Sequence, residues 1–509
     1  MKALSSTRPP IFWKYLCCLG LGLSSCLGFA PFNLFFITIF NIVISIYILN
    51  ITLSKRQALY LGFYFGLGYH FANLYWISIS FDIAQNGGYF LGIPAVFLLA
   101  SFLALLHGLS FYTIRYFSKD FNNLFSALLI IFILSIFDWI KSNIFWGFPW
   151  TPLSAIWSFS SFTLHPFSII GIWGYSLITF SLIVGIYLAF RKVRLLFIFS
   201  SPFLIIFFSF FFSYDNKDKH PDEINVRLVQ PNIEQTKKWD LTRLEENLIN
   251  LLNLSDSRSS EDIDLIIWPE TSIPFDIEGN TSIANLLRKR FSSFNALIFG
   301  SIRREQNKNE KKIYNSLYFK SSRSDTFQIH DKTKLVPFGE FIPFSKYLDM
   351  NKLTDGNVDF QRGLNIKPIQ LNENILALPL ICYEVIFPSL PVFNKEKYSL
   401  LINITNDGWY GSSTGPYQHL ALARIRAVQE GKVLIRVANT GISAIINYNG
   451  DILSELSLNS KGIIDKKIKL LVVDTPYKKH GESFFHFSIL LLSLILVLLY
   501  IKKKEEIKC

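Results

Sequence analysis

Eight apolar segments, each close to the roughly 20 residues that a helix needs to cross a bilayer, constrain the fold of this chain most. Seven lie before residue 214 and the eighth lies near the C-terminus. They are too many for the core of a soluble protein of 509 residues, so the sequence predicts an α-helical transmembrane bundle. The charged fraction agrees, since it is 17% here against about 25% in soluble domains. The segments are 12–30, 33–53, 57–80, 90–114, 123–141, 164–190, 194–213 and 483–501.

The first apolar segment has an alternative interpretation as a cleaved signal peptide, because it follows a short basic start with Lys2 and Arg8. The stretch Leu23–Cys26 even resembles a lipoprotein cleavage site. A lipoprotein would become polar directly after that cysteine, whereas here six more apolar segments follow. We therefore expect segment 12–30 to remain as a membrane span.

Basic residues are unevenly distributed between the two sides of this predicted bundle. They follow the second, fourth, sixth and eighth segments, and Lys141 near the end of the fifth is the exception. Because basic loops stay in the cytoplasm, both termini are predicted to be cytoplasmic and the polar stretch 214–482 to be periplasmic, in a Gram-negative-type cell. This pattern accounts for the net charge of +12 without a nucleic-acid partner. The basic residues are Lys55, Arg56, Arg115, Lys119, Arg191, Lys192, Arg194, Lys502, Lys503 and Lys504.

The polar stretch 214–482 alternates strand-like and helical patterns after a linker at 214–219, which predicts an α/β domain around a central sheet. The chain then divides into a seven-helix bundle at 1–213, this domain, a C-terminal membrane helix at 483–501 and a tail at 502–509. The predicted strands are 224–230, 265–268, 296–300, 314–320, 326–331, 375–381, 399–404 and 442–448, and the predicted helices are 241–254, 282–293 and 417–431.

Three strand ends in this domain carry side chains that suit covalent catalysis. Cys382 directly follows an apolar strand, Glu270 follows the strand that ends in Trp268-Pro269, and Lys332 ends another strand. Taken singly, each has an ordinary interpretation: a buried structural cysteine, a solvated loop glutamate and a surface lysine. Together they match a nucleophile, a general base and a cation that lowers the pKa of a thiol from about 8.5.

The sequence also predicts how an oxyanion would be stabilised. Lys332 and a backbone N–H such as that of Tyr383 are expected to face the charge that forms on a carbonyl oxygen. Glu340 and Glu384 are expected to hold the lysine and the base in place.

The cysteines do not form a metal-binding pattern. Cys17 and Cys18 are adjacent inside an apolar segment, Cys26 and Cys509 lie apart, and Cys382 is alone in the polar domain. No zinc-type spacing is present, and Cys382 has no local disulfide partner. We therefore predict neither a metal nor another cofactor.

The three motifs, in this order, resemble the nitrilase superfamily with its Glu-Lys-Cys triad, and the surrounding spans resemble its membrane-embedded branch, the apolipoprotein N-acyltransferases. The resemblance covers essentially the whole chain. It implies an α-β-β-α sandwich on a membrane bundle, so that 214–482 is a nitrilase-like catalytic domain. Further matching segments are Gln230–Ile233, Lys238–Asp240, Leu335–Pro343, Ile381–Glu384, Asn406–Tyr410 and Gln418-His419.

By this resemblance Glu270 is the general base, Lys332 stabilises the oxyanion and Cys382 accepts the acyl group. The chain departs from the family at Lys334, where many relatives have a histidine, and we expect no loss of activity from this change. Positions that match supporting or substrate-binding residues of the family are Glu340, Tyr383, Glu384, Trp239 and Trp409.

The resemblance also implies a reaction. A fatty acyl chain would pass from a phospholipid, with phosphatidylethanolamine and its sn-1 ester as the expected donor, to Cys382 as a thioester. The α-amine of the diacylglyceryl-cysteine at an apolipoprotein N-terminus would then take it, in the last step of lipoprotein maturation. Apolar loops at 341–344 and 347–360 are expected to keep water from the thioester, and the protein is expected to act as a monomer in the inner membrane.

Two other functions remain open at this point. A membrane-tethered amidase of the nitrilase type would use the same triad, although a soluble substrate needs no bundle of seven spans. A transporter with a large outer domain would carry charged residues deep in several spans and inverted halves, and the sequence offers few such residues and no evident halves.

Overall fold

The computed structural model describes residues 10–506 apart from 190–192, 213–221, 258–261, 276, 278–284, 286, 288, 291–293, 308–309, 325, 344, 346–358 and 391–397. All eight apolar segments contain helices. The α-helices whose bounds are described are α1 Ile11–Ser24, α2 Phe35–Asn50, α3 Lys55–Leu74, α4 Ile77–Ile83, α5 Gly88–Phe117, α6 Leu124–Asn143, α7 Ser161–Leu164, α8 Phe167–Ala189, α9 Val193–Phe208, α10 Gln235–Lys238, α11 Leu244–Ser255, α12 Gly415–Glu430, α13 Pro476–His480 and α14 Ser483–Glu506.

The described part of the chain contains five helical stretches that are long and apolar enough to cross a membrane. Two further apolar helices, Phe35–Asn50 and Arg194–Phe208, are shorter, and the predicted number of eight spans is therefore approximate. The predicted segment 57–80 is not one helix, because α3 ends at Leu74 and α4 begins at Ile77. The five stretches are Ile11–Gly28, Gly88–Phe117, Leu124–Asn143, Phe167–Ala189 and Ser483–Glu506.

The polar domain contains two six-stranded sheets. Their strands are β1 Glu223–Gln230, β2 Leu265–Ile267, β3 Ala296–Asn307, β4 Glu310–Ser321, β5 Gln328–Asp331, β6 Ile369–Gln370, β7 Leu376–Ile381, β8 Leu400–Thr405, β9 Val433–Ala438, β10 Ser443–Ile446, β11 Ile452–Leu456 and β12 Gly462–Lys469. One sheet has the order β12-β1-β2-β3-β4-β5 and the other has the order β11-β10-β9-β8-β7-β6. Parallel pairs lie at the centre of each sheet, with β1 and β3 beside β2, and β7 and β9 beside β8.

The two sheets pack face to face and helices cover their outer faces, which confirms the α-β-β-α layers. Alternate side chains such as Ile267 and Ile402 fill the core between the sheets. Helix α11 packs on the outer face of the first sheet. The outer face of the second sheet, with Leu380 and Leu434, shares one continuous core with α12 and the membrane bundle. The second sheet is therefore fixed directly to the bundle.

Some predictions lie outside the described residues. They are the linker 214–219, most of the helix 282–293, the loop residues 344 and 347–358, and the last three residues of the tail. Four strands of the structure were not predicted: β6, β9, β11 and β12.

Candidate active site

Three strand ends converge where the two sheets meet. Glu270 lies shortly after β2. The hydrogen bonding of β2 to β3 continues one residue beyond the strand, because the Trp268 N–H donates to the Ile298 carbonyl at 2.8 Å. Lys332 follows β5 and Cys382 follows β7. All three predicted triad residues are buried, with 6%, 1% and 6% of Glu270, Lys332 and Cys382 exposed.

Lys332 lies between two carboxylates. Its Nζ is 3.2 Å from Oε1 of Glu270 and 3.0 Å from Oε1 of Glu340. Asn315 Nδ2 donates to the same two oxygens at 2.8 and 2.9 Å. Burial alone would favour the neutral amine, but Glu270 and Glu340 together raise the pKa of Lys332. The lysine is therefore a fixed ammonium ion.

Cys382 has a strained backbone and a resting thiol that is protonated at neutral pH. Its φ of 50° lies in the left-handed region, which costs a non-glycine residue about 1–3 kcal/mol and recurs at functional sites. Burial, reinforced by Glu270, raises the pKa of the thiol to about 12, and Lys332 only partly opposes this. The prediction that Lys332 leaves the thiol with a lowered pKa is thus wrong, because loss of hydration outweighs one cation. At neutral pH a base must remove the proton.

Glu384 holds the loop of Lys332 to the strand of Cys382. Its Oε1 accepts from the N–H and the hydroxyl of Thr333, both at 2.6 Å, and its Oε2 accepts from the Ile381 N–H at 2.7 Å. His330 Nε2 lies 3.2 Å from Oε2. Burial raises the pKa of Glu384, but His330 and these hydrogen bonds more than offset it, so the pKa is lowered.

The remaining predicted residues lie around this centre. Tyr383 donates its hydroxyl to the Gly147 carbonyl of the bundle at 3.2 Å. Trp409 is half-buried, and its carbonyl accepts from Ser80 Oγ in α4 at 2.8 Å. Trp239 is half-buried too, and its indole N–H has no partner among the described residues.

The Lys334 side chain lies over an aromatic ring beside the site. Its Nζ lies 4.9 Å above the ring of Phe387, and its backbone N–H donates to Glu384 at 3.3 Å. Burial and Arg362 lower the pKa of this lysine.

Sequence reasoning missed two residues of the site. Lys238 Nζ donates to the Glu270 carbonyl at 2.8 Å and to Thr271 Oγ1 at 2.6 Å, and burial lowers its pKa to about 8. Asn315 bridges both carboxylates from the middle of β4. Lys238 stands in the segment Lys238–Asp240, in which the resemblance to the family assigns a supporting role to Trp239 only, whereas a single asparagine in a strand gives no signal.

Comparison with known proteins decides the family. The pattern of the apolipoprotein N-acyltransferase N-terminal domain matches residues 21–186, and that of the carbon-nitrogen hydrolases matches residues 225–475. Apolipoprotein N-acyltransferase of Rickettsia prowazekii (strain Madrid E) is 36% identical over 498 residues, which cover 95% of this chain and 97% of that protein. The chain belongs to the apolipoprotein N-acyltransferase family. The enzyme of that name from Rhodopseudomonas palustris (strain ATCC BAA-98 / CGA009) is 29% identical over 95% of this chain and 94% of its own length.

The composition of the site bears on proton transfer and on metal binding. A neutral thiol, two carboxylates and an ammonium ion can exchange a proton from sulfur to carboxylate without a change in total charge, which a buried site tolerates. The described residues contain no group of three histidine, cysteine or acidic side chains placed to hold a metal ion.

Replacing Glu384 by alanine is expected to destabilise the domain by about 3–5 kcal/mol, because Thr333, Ile381 and His330 would lose their buried partner. The sign of its pH dependence is fixed by the lowered pKa. Stability from Glu384 is present above the usual value of 4.5 and is lost as the pH falls through the folded-state value. In thermal unfolding of the full chain in detergent, the difference in melting temperature between the wild type and Glu384→Ala should therefore become smaller at acidic pH. Exposed Glu373 provides the control, and an equal effect of Glu373→Ala would contradict this account.

Proposed function

We propose that this protein transfers a fatty acyl chain from a phospholipid to the α-amino group of the N-terminal diacylglyceryl-cysteine of apolipoproteins, through a thioester on Cys382. The observation that carries the proposal is the position of the nucleophile. Cys382 is buried beside Glu270 and Lys332, and its neighbour Tyr383 contacts Gly147 of the membrane bundle. A lipid ester that leaves the bilayer along the bundle is thereby brought to the thiol.

In the first half-reaction Glu270 takes the proton of the Cys382 thiol while the sulfur attacks the ester carbonyl, with the sn-1 ester of phosphatidylethanolamine as the expected donor. The oxyanion of the tetrahedral intermediate is stabilised by the ammonium of Lys332, which two carboxylates keep protonated. The ester C–O bond then breaks, and protonated Glu270 returns its proton to the leaving lysophospholipid. Cys382 is left as a thioester.

In the second half-reaction the α-amine of the diacylglyceryl-cysteine attacks the thioester carbonyl. Such an amine has a pKa near 8, so part of it is already neutral, and Glu270 removes the second proton as the C–N bond forms. The C–S bond breaks and the thiolate regains a proton from Glu270. The products are the N-acylated lipoprotein and the free thiol of Cys382.

The proposed setting is the inner membrane of a Gram-negative-type cell. The catalytic domain at 214–482 would lie in the periplasm, between the bundle at 1–213 and the membrane helix at 483–501. Both termini, including the tail at 502–509, would be cytoplasmic. The protein would act as a monomer. The membrane attachment of the second sheet through the core around Leu380 and α12 supports a domain that lies on the outer surface of the bundle.

Mass spectrometry of the intact protein after incubation with phosphatidylethanolamine tests the proposal. We expect a mass increase of one acyl chain on the peptide with Cys382, which hydroxylamine removes. Addition of a diacylated lipopeptide should discharge the thioester into an N-acylated product. Discharge by water alone would make the protein a lipase-like hydrolase, and cleavage of small amides without a trapped acyl group would favour the tethered amidase.

Replacing Gly300 by alanine is expected to slow formation of this thioester by roughly 100-fold, because a misplaced catalytic group costs about that much. A Cβ on Gly300 of β3 would lie 2.7 Å from Cα of Glu270 and 2.8 Å from the Pro269 carbonyl oxygen, and would also meet the backbone nitrogen of Thr271. The base would have to move. The initial rate of acylation measures the effect.

The matched control is Gly462→Ala in β12, whose new Cβ would come no closer than 3.3 Å to the Leu456 side chain. It should acylate at the wild-type rate. Full activity of Gly300→Ala would show that this contact does not set the position of Glu270.

A further inference from the structure

A buried polar network contacts the backbone of Cys382. Arg436 of β9 donates through Nη2 to Asp407 Oδ2 at 2.7 Å and through Nη1 to Asn403 Oδ1 at 2.6 Å. His419 Nδ1 lies 3.0 Å from Arg436 Nη2 and 2.9 Å from Asp407 Oδ1. All four side chains are completely buried. The mechanism above uses none of them.

The network ends on the backbone of the nucleophile. His419 Nε2 lies 3.3 Å from the carbonyl oxygen of Cys382, and Asn403 Nδ2 donates to the same oxygen at 3.4 Å. A neutral imidazole has one N–H. Nδ1 faces both Nη2 of Arg436 and Oδ1 of Asp407. In the tautomer in which Nδ1 accepts from Arg436, the proton is on Nε2 and His419 donates to the Cys382 carbonyl. Burial and the charge of Arg436 lower the pKa of His419, which agrees with a neutral ring.

Cys382 needs such a contact more than an ordinary residue does. Its φ of 50° is disfavoured for a side chain with a Cβ, and a strained residue persists only where its surroundings fix it. Two hydrogen bonds to its carbonyl fix the peptide unit that follows the thiol. They therefore help to set where Sγ lies relative to Glu270 and Lys332, together with the Thr405 side chain, which hydrogen-bonds the thiol itself.

The residue before His419 joins this network to the membrane bundle. Gln418 Oε1 accepts from the indole N–H of Trp76 at 3.3 Å and from that of Trp150 at 2.8 Å. Trp76 stands between α3 and α4, and Trp150 stands in the loop after α6. The Trp150 ring also contacts His419, with a centroid distance of 5.4 Å. One dipeptide at the start of α12 thus touches the nucleophile on one side and the bundle on the other.

We infer that Gln418 and His419 are positioning residues: His419 fixes the strained backbone of Cys382, and Gln418 ties that support to the two bundle tryptophans. The bundle then orients the nucleophile as well as holding the lipid substrates. This inference rests on the proposed role of Cys382 as nucleophile. Neither residue touches the reacting atoms.

The test measures the rate at which iodoacetamide alkylates Cys382 in the full chain in detergent, per folded molecule, by peptide mass spectrometry. His419→Ala should react about tenfold more slowly, since one lost hydrogen bond of about 1.4 kcal/mol is a factor of ten. His419→Gln, whose amide can donate in place of Nε2, should recover to within about threefold. Gln418→Leu should resemble His419→Ala, and Gln418→Glu, which keeps an acceptor for both indoles, should resemble the wild type.

Should His419→Ala not fold, His419→Met takes its place as a variant of similar size without a donor. Alkylation of folded His419→Ala or His419→Met at the wild-type rate would overturn the inference, and so would a His419→Gln variant that folds and reacts as slowly as either. Iodoacetamide needs no acyl donor. A wild-type protein that never forms a thioester from phospholipid would overturn the proposed function and leave this comparison intact.

Discussion

Replacement of Cys382 by alanine should abolish the trapped acyl group and lower transfer to the lipopeptide by at least about 1,000-fold. The thiol forms the only covalent bond between enzyme and substrate in the proposed mechanism, and both half-reactions pass through this thioester. The fold should be little changed, because alanine accepts the left-handed backbone of Cys382 no worse than cysteine does. Mass spectrometry of the acyl-enzyme and chromatography of the N-acylated lipopeptide measure the two losses.

The matched control is Cys17→Ala, which removes an exposed thiol from α1. It should keep both activities. A Cys382→Ala variant that still N-acylates the lipopeptide would show that the acyl group reaches the amine without a thioester, and the mechanism would have to be abandoned.

The bundle and the positions of the triad could be predicted because both depend on local sequence. A long apolar segment is helical wherever it lies in the membrane. A residue that directly follows a buried strand lies at the edge of its sheet, and this placed Glu270, Lys332 and Cys382 together before any contact was known. The confirmed layers of the domain follow from the same alternation of strands and helices.

The remainder depends on contacts between distant parts of the chain. Strand β9 was missed, and its Arg436 is fully buried beside Asp407. Strand β12, with its row of lysines, has the polar pattern of an edge strand, and its pairing with β1 along eight residues is not encoded locally. Asn315 and Lys238 reach Glu270 from different elements. The spacing of these residues in the sequence does not indicate that they contact Glu270.

Electrostatics also depended on burial that the sequence does not show. A lysine beside a thiol suggested a lowered thiol pKa, but burial and Glu270 raise it to about 12. At neutral pH the sulfur of the free enzyme is therefore protonated. A resting thiol is less exposed to oxidation than a thiolate, which suits a cysteine predicted to lie in the periplasm.

The requirement for a base predicts the second large effect. Replacement of Glu270 by glutamine should slow acylation of Cys382 about 100- to 10,000-fold at neutral pH, the usual contribution of a general base. The amide keeps the shape of the carboxylate, and its oxygen can still accept from Asn315, as Oε1 does now at 2.8 Å. Glu270 is itself one of the causes that raise the thiol pKa, so the variant loses that contribution and hydroxide can produce the thiolate as the pH rises. The loss should therefore shrink between about pH 7 and pH 9.5, measured as initial rates of thioester formation.

Glu340→Gln separates this explanation from a simple loss of charge around Lys332. Glu340 contacts Lys332 at 3.0 Å and Asn315 at 2.9 Å, as Glu270 does at similar distances, but its other oxygen is occupied by the Val336 N–H at 2.8 Å. Replacing Glu340 weakens the binding site of the Lys332 ammonium and leaves the base Glu270 in place. The rate of thioester formation by Glu340→Gln should therefore not recover as the pH rises. Equal recovery in both variants, or none in Glu270→Gln, would mean that Glu270 serves to hold Lys332 and that another group takes the proton of the thiol.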